Sequence, residues 1–252
     1  MKIAFSDFDG TLLIPGSGVA DETIAAIRTW RGAGNKFGIV TGRDHSLIRM
    51  ETEVYGIPVD FLICANGASR HDGDGTVLGR TLLPHDAMEE LFRSDHIQNY
   101  KEGMLFFTTK RAYSFRHRED APASHLTRLS HLDDALALDD IVQMGLMFRD
   151  QEATVAAFRA IDADFPGIFA GNINRKFLDL NRKGVNKSTG IAELIRYKGW
   201  EKAELFVIGD DRNDLPMIEA YDGYTVASAK PFMHESACGV YTSVGAMLRD
   251  KI

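Results

Sequence analysis

Two aspartates near the start of the chain, Asp7 and Asp9, are the first residues whose spacing predicts chemistry. They follow a short apolar segment at residues 3–5, which favours a β-strand, and Gly10 comes directly after them. Residues i and i+2 of a strand point to the same side, so the two carboxylates would converge where the strand ends. Because such a pair repels itself, it favours a bound cation or a shared proton. An ordinary Asp-Gly turn is the alternative interpretation.

Strand and helix patterns alternate on both sides of a central segment. Apolar strands are predicted at residues 3–5, 37–40 and 61–64, and helices beginning at Asp21 and Ser46 separate them. After residue 181 the pattern returns, with a helix opened by Asn186 and a strongly apolar strand at residues 205–208. Such alternation predicts right-handed crossovers and a Rossmann-like parallel sheet, an α/β fold class.

The central segment follows a different pattern, which predicts an inserted α+β cap domain. Helices are expected at residues 86–99, 124–132 and 152–165, and strands at residues 104–109, 112–117, 141–148, 168–171 and 176–180. This order favours a mainly antiparallel sheet covered by helices. The predicted domains are therefore an α/β core at 1–83 and 182–252, and a cap at 84–181 that supplies substrate specificity.

Polar clusters follow the other predicted strands of the core. Thr41 and Gly42 follow the second strand, the run from Asp210 to Asp214 follows residues 205–208, and Lys187 opens a helix. Ligands bind at the carboxyl edge of parallel sheets, where such clusters meet. Carboxylates suit Mg²⁺ and the loops lack Cys and His, which argues against zinc. A hydroxyl, an amide and an ammonium suit a phosphate. Singly, the clusters also fit turns, helix caps and a solvated surface lysine.

Composition and charge exclude several function classes. The 252 residues are 44% hydrophobic and carry a net charge of −7, which argues against a broad footprint on nucleic acid or an anionic membrane. No apolar run reaches the length of a membrane span, and the N-terminus has no secretory hydrophobic region. Cys64 and Cys238 lie far apart, as is typical of a reduced, cytoplasmic protein. Oligomeric state is open, and a monomer is plausible.

Four motifs in chain order resemble those of the haloacid dehalogenase superfamily, specifically its Cof-type phosphatases, whose cap is inserted after the third strand. The first motif is Asp7-Phe8-Asp9-Gly10-Thr11-Leu12 and the second is Thr41-Gly42-Arg43. Lys187 in the run from Lys183 matches the third, and Gly209-Asp210 followed by Asn213-Asp214 matches the fourth. The resemblance spans the whole chain, including the position of the cap.

The resemblance implies a role for each matched residue. Asp7 is the expected nucleophile and forms an aspartyl-phosphate, and Asp9 is the expected general acid and base. Thr41 and the Gly42 amide hold the phosphoryl oxygens, and Lys187 neutralises charge. Mg²⁺ is expected on the Asp7 and Asp210 carboxylates and on the Asp9 main-chain carbonyl. Asn213 would contact phosphate or metal-bound water, and Asp214 would orient Lys187 or the metal shell.

The predicted function is Mg²⁺-dependent hydrolysis of small phosphorylated metabolites, either sugar phosphates or a phosphorylated cofactor. A phosphotransferase or mutase with the same intermediate is the alternative enzyme, and a non-catalytic ligand-binding scaffold is the alternative of another class. Asn66 is a candidate for binding the leaving group, although an Asn-Gly turn explains it equally. Arg43 is interpreted as a surface residue of a helix's first turn, with a phosphate contact as the alternative.

Overall fold

The computed structural model describes residues 1–116 and 125–252. Its strands are β1 Lys2–Ser6, β2 Lys36–Val40, β3 Phe61–Cys64, β4 Ser69–Asp72, β5 Val77–Arg80, β6 Met104–Thr108, β7 Ala112–Phe115, β8 Leu126–Arg128, β9 Ile141–Met147, β10 Phe169–Asn174, β11 Phe177–Arg182, β12 Glu204–Gly209, β13 Tyr224–Val226 and β14 Gly239–Tyr241. Its α-helices are α1 Asp21–Gly32, α2 His45–Val54, α3 His85–Arg93, α4 Asp95–Gln98, α5 Gln151–Asp164, α6 Lys187–Lys198, α7 Leu215–Ala220, α8 Pro231–Ser236 and α9 Val244–Lys251. No helix within these ranges is long and apolar enough to cross a membrane.

The chain forms two compact units. The first contains Met1–Arg43, Ile48–Gly79 and Asn186–Ile252, and the second contains Asp44–Leu47 and Arg80–Val185. The sequence places the corresponding domain boundaries after residues 83 and 181. The division of labour between a catalytic core and a specificity cap stays a prediction.

The first unit is built on a sheet of strand order β14-β13-β12-β1-β2-β3-β4-β5. The pairs from β14 to β3 are parallel, and β4 turns back antiparallel to β3. Parallel neighbours need crossover helices, which the alternation of strand and helix provides. The predicted α/β fold class with a parallel sheet is confirmed.

Both faces of this sheet are buried, which explains why its strands read as continuous apolar runs. In β12, Phe206 and Ile208 join one core cluster with Trp30 of α1, and Val207 joins another with Leu194 of α6. Successive side chains of a strand point to opposite faces, so each face packs against its own helices. A rigid central layer of this kind fixes the positions of the strand ends.

The second unit contains a sheet of strand order β10-β11-β9-β6-β7-β8. Its pairs are antiparallel except β7 with β8, which is parallel. Its core includes Phe106 from β6, Met144 from β9 and Ile161 from α5. The expected α+β composition is therefore present, with one parallel pair added at the sheet edge.

Two local predictions need correction, and four short elements were not predicted. The helix expected at 124–132 is wrong over its described part, because Leu126–Arg128 forms β8 and a short 3₁₀ helix begins only at Leu132; residue 124 lies outside the described residues. Pairing with β7 overrides the local helical pattern there. The helix expected at 86–99 is interrupted at Ser94, which has extended backbone angles. Strands β4, β5 and β14 and helix α8 were not predicted, since they are short and largely polar or half-exposed.

Candidate active site

The predicted site residues lie in the first unit, where β1, β2 and β12 end and α6 begins. The backbone pairing continues one residue past two of these strands. The amide of Asp7 donates to the Ile208 carbonyl at 2.9 Å, and the amide of Thr41 donates to the Ile63 carbonyl at 2.9 Å. Asp7 and Thr41 are therefore held by the sheet itself, and both are buried.

Lys187 is the cation of this cluster. Asn186 caps the helix, because its side chain accepts from the Thr189 amide, and Lys187 is then the first helical residue. Its ammonium is fully buried and lies 2.5 Å from Asp7 Oδ1 and 2.5 Å from Asp214 Oδ1. The alternative of a solvated surface lysine is wrong.

Asp214 is engaged through both carboxylate oxygens. Oδ1 accepts from Lys187, and Oδ2 accepts from the amides of Asp210 at 3.0 Å and Asp211 at 3.1 Å. These bonds tie the loop after β12 to the ammonium. The sequence leaves two roles open for Asp214, to orient Lys187 or to orient the metal shell. Because both of its oxygens already accept hydrogen bonds within the chain, the geometry fits the first role.

Carboxylates outnumber cations at the centre of the cluster. Carboxylate oxygens of Asp7, Asp210 and Asp214 lie within 4.8 Å of one another. Burial, then repulsion from Asp214, raises the pKa of Asp7 well above its ordinary value, although Lys187 opposes the shift. Burial would lower the pKa of Lys187, but Asp214 and Asp7 raise it, so the ammonium stays charged. A buried excess of carboxylate oxygens fits a hard divalent cation.

A close approach between two loops places Asp210 in this cluster. Gly10 has φ +88°, and a Cβ there would lie 2.3 Å from Asp210 Oδ2, so a side chain would displace the carboxylate. The next hydroxyl, Thr11 Oγ1, donates to Asp210 Oδ1 at 2.6 Å. Burial raises the pKa of Asp210. The Thr11 contact had no signal in the sequence beyond its membership of the first motif.

Asp9 lies apart from the three clustered carboxylates. Its side chain is 52% exposed, and both its oxygens accept from Arg43, at 2.7 Å from Nε and 2.6 Å from Nη2. The third guanidinium nitrogen donates to Glu51 at 3.0 Å, and the guanidinium lies over the Phe8 ring. Arg43 is thus a partner of Asp9 rather than the free surface residue expected from the sequence. Metal binding through the Asp9 main chain stays a prediction.

Asn66, Gly42 and Asn213 form a second polar group beside the first. Asn213 donates to the Asn66 side chain at 3.2 Å, and a Cβ on Gly42 would lie 3.1 Å from that side chain. Ala65 and Asn66 have φ of 51° and 54°, a left-handed conformation that costs a non-glycine residue about 1–2 kcal/mol. Residues 65–68 also connect the antiparallel strands β3 and β4, where left-handed residues are common, so the turn stays an alternative. The connection places a buried Asn66 next to the predicted phosphate donors.

Known proteins resemble the chain over nearly its whole length. The HMP-PP phosphatase of Klebsiella pneumoniae is 25% identical over 91% of this chain and 85% of its own length. The pyridoxal phosphate phosphatase of Escherichia coli is 24% identical over 87% of this chain and 85% of its own length. The structure of a sugar phosphatase of haloacid dehalogenase subclass IIB superposes with a TM-score of 0.82 and 22% identity, covering 99% of this chain and 97% of that one.

The model of one protein family, the haloacid dehalogenase-like hydrolases, matches residues 4–244. That range contains all four motifs and the inserted segment between them. The match confirms the family expected from the motifs, and with it the predicted enzyme class. The chain therefore belongs to the haloacid dehalogenase-like hydrolases.

Proposed function

We propose that the chain is a Mg²⁺-dependent phosphatase that hydrolyses small phosphorylated metabolites through an aspartyl-phosphate on Asp7. The observation that carries the proposal is the buried contact of Asp7 with Lys187, inside a group of three carboxylates. A nucleophilic carboxylate needs neighbouring positive charge before it can approach a phosphate dianion. The phosphatase names of two relatives support the reaction, and their substrates support small phosphorylated metabolites as the substrate class.

The donor set supports a magnesium ion held by the side chains of Asp7 and Asp210 and by the main-chain carbonyl of Asp9. Asp214, the fourth predicted metal residue, would act on the metal shell through the loop whose amides it binds. When bound, Mg²⁺ supplies charge neutralisation and orients the phosphoryl oxygens. A second positive charge, the Lys187 ammonium, is already held against the nucleophile.

The proposed reaction has two steps on this chain's own residues. Asp7 Oδ forms a bond to phosphorus while the ester bond breaks, and Asp9 gives its proton to the leaving oxygen. Asp9 then takes a proton from water, whose oxygen attacks the phosphorus and frees Asp7 and inorganic phosphate. Thr41, the Gly42 amide and Asn213 would hold the phosphoryl oxygens, with Asn66 at the leaving group.

The contact between Asp9 and Arg43 bears on this scheme. Both Asp9 oxygens accept from Arg43, but each carboxylate oxygen has two lone pairs, so the leaving oxygen can approach the second one while Arg43 stays bound. The half-exposed position of Asp9 leaves space for this approach. The Arg43 contact is therefore compatible with the acid and base roles proposed for Asp9.

The test is a screen of phosphorylated metabolites in Mg²⁺, with pyridoxal phosphate, HMP-PP and sugar phosphates in the panel. We expect stoichiometric release of inorganic phosphate from at least one of them, and none from the Asp7→Asn variant. Isomerisation of a sugar phosphate without release of phosphate would favour the mutase alternative. Binding without any turnover would favour the non-catalytic scaffold.

A further inference from the structure

Arg70 of β4 is a buried arginine just after the loop that carries Asn66, and it is 6% exposed. Its Nη1 donates to the carbonyl oxygen of Gly67 at 3.0 Å. Its Nη2 lies 2.6 Å from Glu193 Oε2 of α6, the helix that begins at Lys187. One guanidinium thus bonds the loop and pairs with the helix at the same time.

The loop and the helix also touch through their backbones. A Cβ on Gly190 would lie 2.6 Å from Gly67 Cα, and a Cβ on Gly67 would lie 2.1 Å from the Asn186 carbonyl oxygen. Gly67 has φ +105°, which also requires glycine. The contact places the peptide after Asn66 directly on the first turn of the helix. A small movement of either element would therefore change the distance between Asn66 and Lys187.

The Asn66 loop needs a restraint of this kind, because Ala65 and Asn66 both have left-handed backbone angles. Such conformations persist only where surrounding bonds determine them. The bond from Arg70 to Gly67 acts on the peptide next to the strained residues. Asn66 in turn accepts from Asn213 and lies beside Gly42.

We propose that Arg70 is a positioning residue, which holds the Asn66 loop and the Lys187 helix at a fixed separation, so that Asn66 contacts the leaving group and Lys187 the phosphoryl group of one substrate. The proposal rests on the proposed phosphatase function, because it assigns Asn66 and Lys187 to the same substrate. Arg70 itself acts through the Gly67 carbonyl and through Glu193. Its effect is therefore on substrate binding more than on the chemistry at Asp7.

Gly79 offers a way to move Arg70 without removing it. A Cβ on Gly79 would lie 2.9 Å from Arg70 Nη2 and 3.2 Å from Nε. The group it meets is the end of a flexible side chain, and a pocket of about 180 Å³ lies beside it. Gly79→Ala is therefore expected to shift the guanidinium and leave the backbone in place.

The experiment compares Arg70→Met, Arg70→Lys and Gly79→Ala, with Arg196→Met as the matched control. Arg196 lines the same pocket but is exposed on the helix surface. The readouts are KM for p-nitrophenyl phosphate and the inhibition constant of inorganic phosphate, both in Mg²⁺. Loss of a bond from a charged donor predicts a rise of about tenfold in both constants for Arg70→Met. Gly79→Ala and Arg70→Lys should raise both by about threefold, and Arg196→Met by less than about twofold.

Destabilisation alone would give a different result, because unfolded molecules lower the maximal rate and leave both constants unchanged. Unchanged constants in Arg70→Met would therefore overturn the proposal. If Arg70→Met does not fold, Gly79→Ala and Glu193→Gln decide by the same criterion.

Amide hydrogen exchange tests the positioning role without any activity. Residues 65–68 and 187–190 should exchange faster together in Arg70→Met than in the wild type. Unchanged exchange in both segments would overturn the proposal. A wild type that releases phosphate neither from the aryl phosphate nor from any metabolite of the screen would instead refute the proposed function, and the exchange measurement would still decide the role of Arg70.

Discussion

Two aspartates at opposite edges of the same sheet, the buried Asp7 and the half-buried Asp60, have opposite electrostatic surroundings. Asp60 precedes β3 at the amino edge, and its carboxylate accepts from the Phe37 amide at 3.0 Å and from Arg31 Nε at 2.8 Å, with Lys36 at 3.3 Å. Burial would raise the pKa of Asp60, but the bonds from Arg31 and Phe37 lower it. Its charge is therefore balanced by neighbours that the fold already holds.

At the carboxyl edge the balance is reversed. Asp7 shares one ammonium, that of Lys187, with Asp214, and Asp210 adds a further carboxylate. Burial and the other carboxylates raise the pKa of Asp7. An excess of carboxylates of this kind fits a bound cation, as the proposed function requires, whereas the Asp60 carboxylate is balanced by Arg31 and Lys36 within the fold. The same substitution at the two positions should therefore separate function from stability.

The largest effect is expected for Asp7→Asn. Loss of the nucleophile should lower kcat for p-nitrophenyl phosphate by at least about a thousandfold. Because one of three repelling carboxylates becomes neutral, the melting temperature should stay unchanged or rise. Steady-state kinetics and thermal unfolding measure the two effects. Turnover within tenfold of the wild type would exclude Asp7 as the nucleophile.

Asp9→Asn should lower kcat by about a hundredfold or more, as loss of a general acid does. The stabilisation by Mg²⁺ should persist, because the predicted metal contact of Asp9 is through its main chain. Kinetics and a Mg²⁺ titration followed by thermal unfolding measure both. Preserved turnover together with lost metal stabilisation would contradict the assigned role.

Metal should relieve the excess of negative charge at the carboxyl edge. At a concentration one hundred times its Kd, Mg²⁺ should stabilise the fold by about 2.7 kcal/mol, and chelation should remove both this gain and turnover. Asp210→Asn should lose the stabilisation. Asp211→Asn is the matched control, because the Asp211 carboxylate pairs with Lys230 on the surface. Equal stabilisation of Asp210→Asn and the wild type would remove Asp210 from the metal site.

The carboxyl edge could be predicted from the sequence because its residues are marked locally. Asp7, Thr41 and Asp210 each follow an apolar strand directly, and Lys187 follows a helix cap. Strands buried on both faces are continuous apolar runs, so the parallel sheet could be recognised as well. Short polar elements such as β4 carry no such signal, and β8 depends on its pairing with β7.

Contacts between side chains far apart in the chain could not be predicted. The bonds of Arg43 to Asp9, of Arg70 to Glu193 and of Arg31 to Asp60 join segments whose spacing has no pattern. Their existence depends on how the crossovers place each helix over the sheet. Local patterns therefore identified the catalytic candidates, whereas the residues that hold them became visible only in the structure.

The smallest effect on activity is expected at the amino edge of the sheet. Asp60→Asn should leave KM and kcat of the folded protein unchanged. Loss of charged hydrogen bonds should lower the free energy of unfolding by about 1–3 kcal/mol at pH 7. Glu53→Gln, which removes only an exposed pair with Arg49, should cost less than about 0.5 kcal/mol. Denaturant unfolding of the three proteins measures the differences.

The difference in stability between the wild type and Asp60→Asn should depend on pH, because folding lowers the pKa of Asp60. Because the pKa of Asp60 is lower in the folded state than in the unfolded chain, its contribution is complete above the unfolded value of about 4. The contribution falls as the pH drops through the folded pKa, since protonation removes the charge that Arg31 and Lys36 bind. The wild type and Asp60→Asn should therefore converge in stability below about pH 4. A difference that grew on acidification would show that the carboxylate is not stabilised by its cations, and the contrast between the two edges would fail.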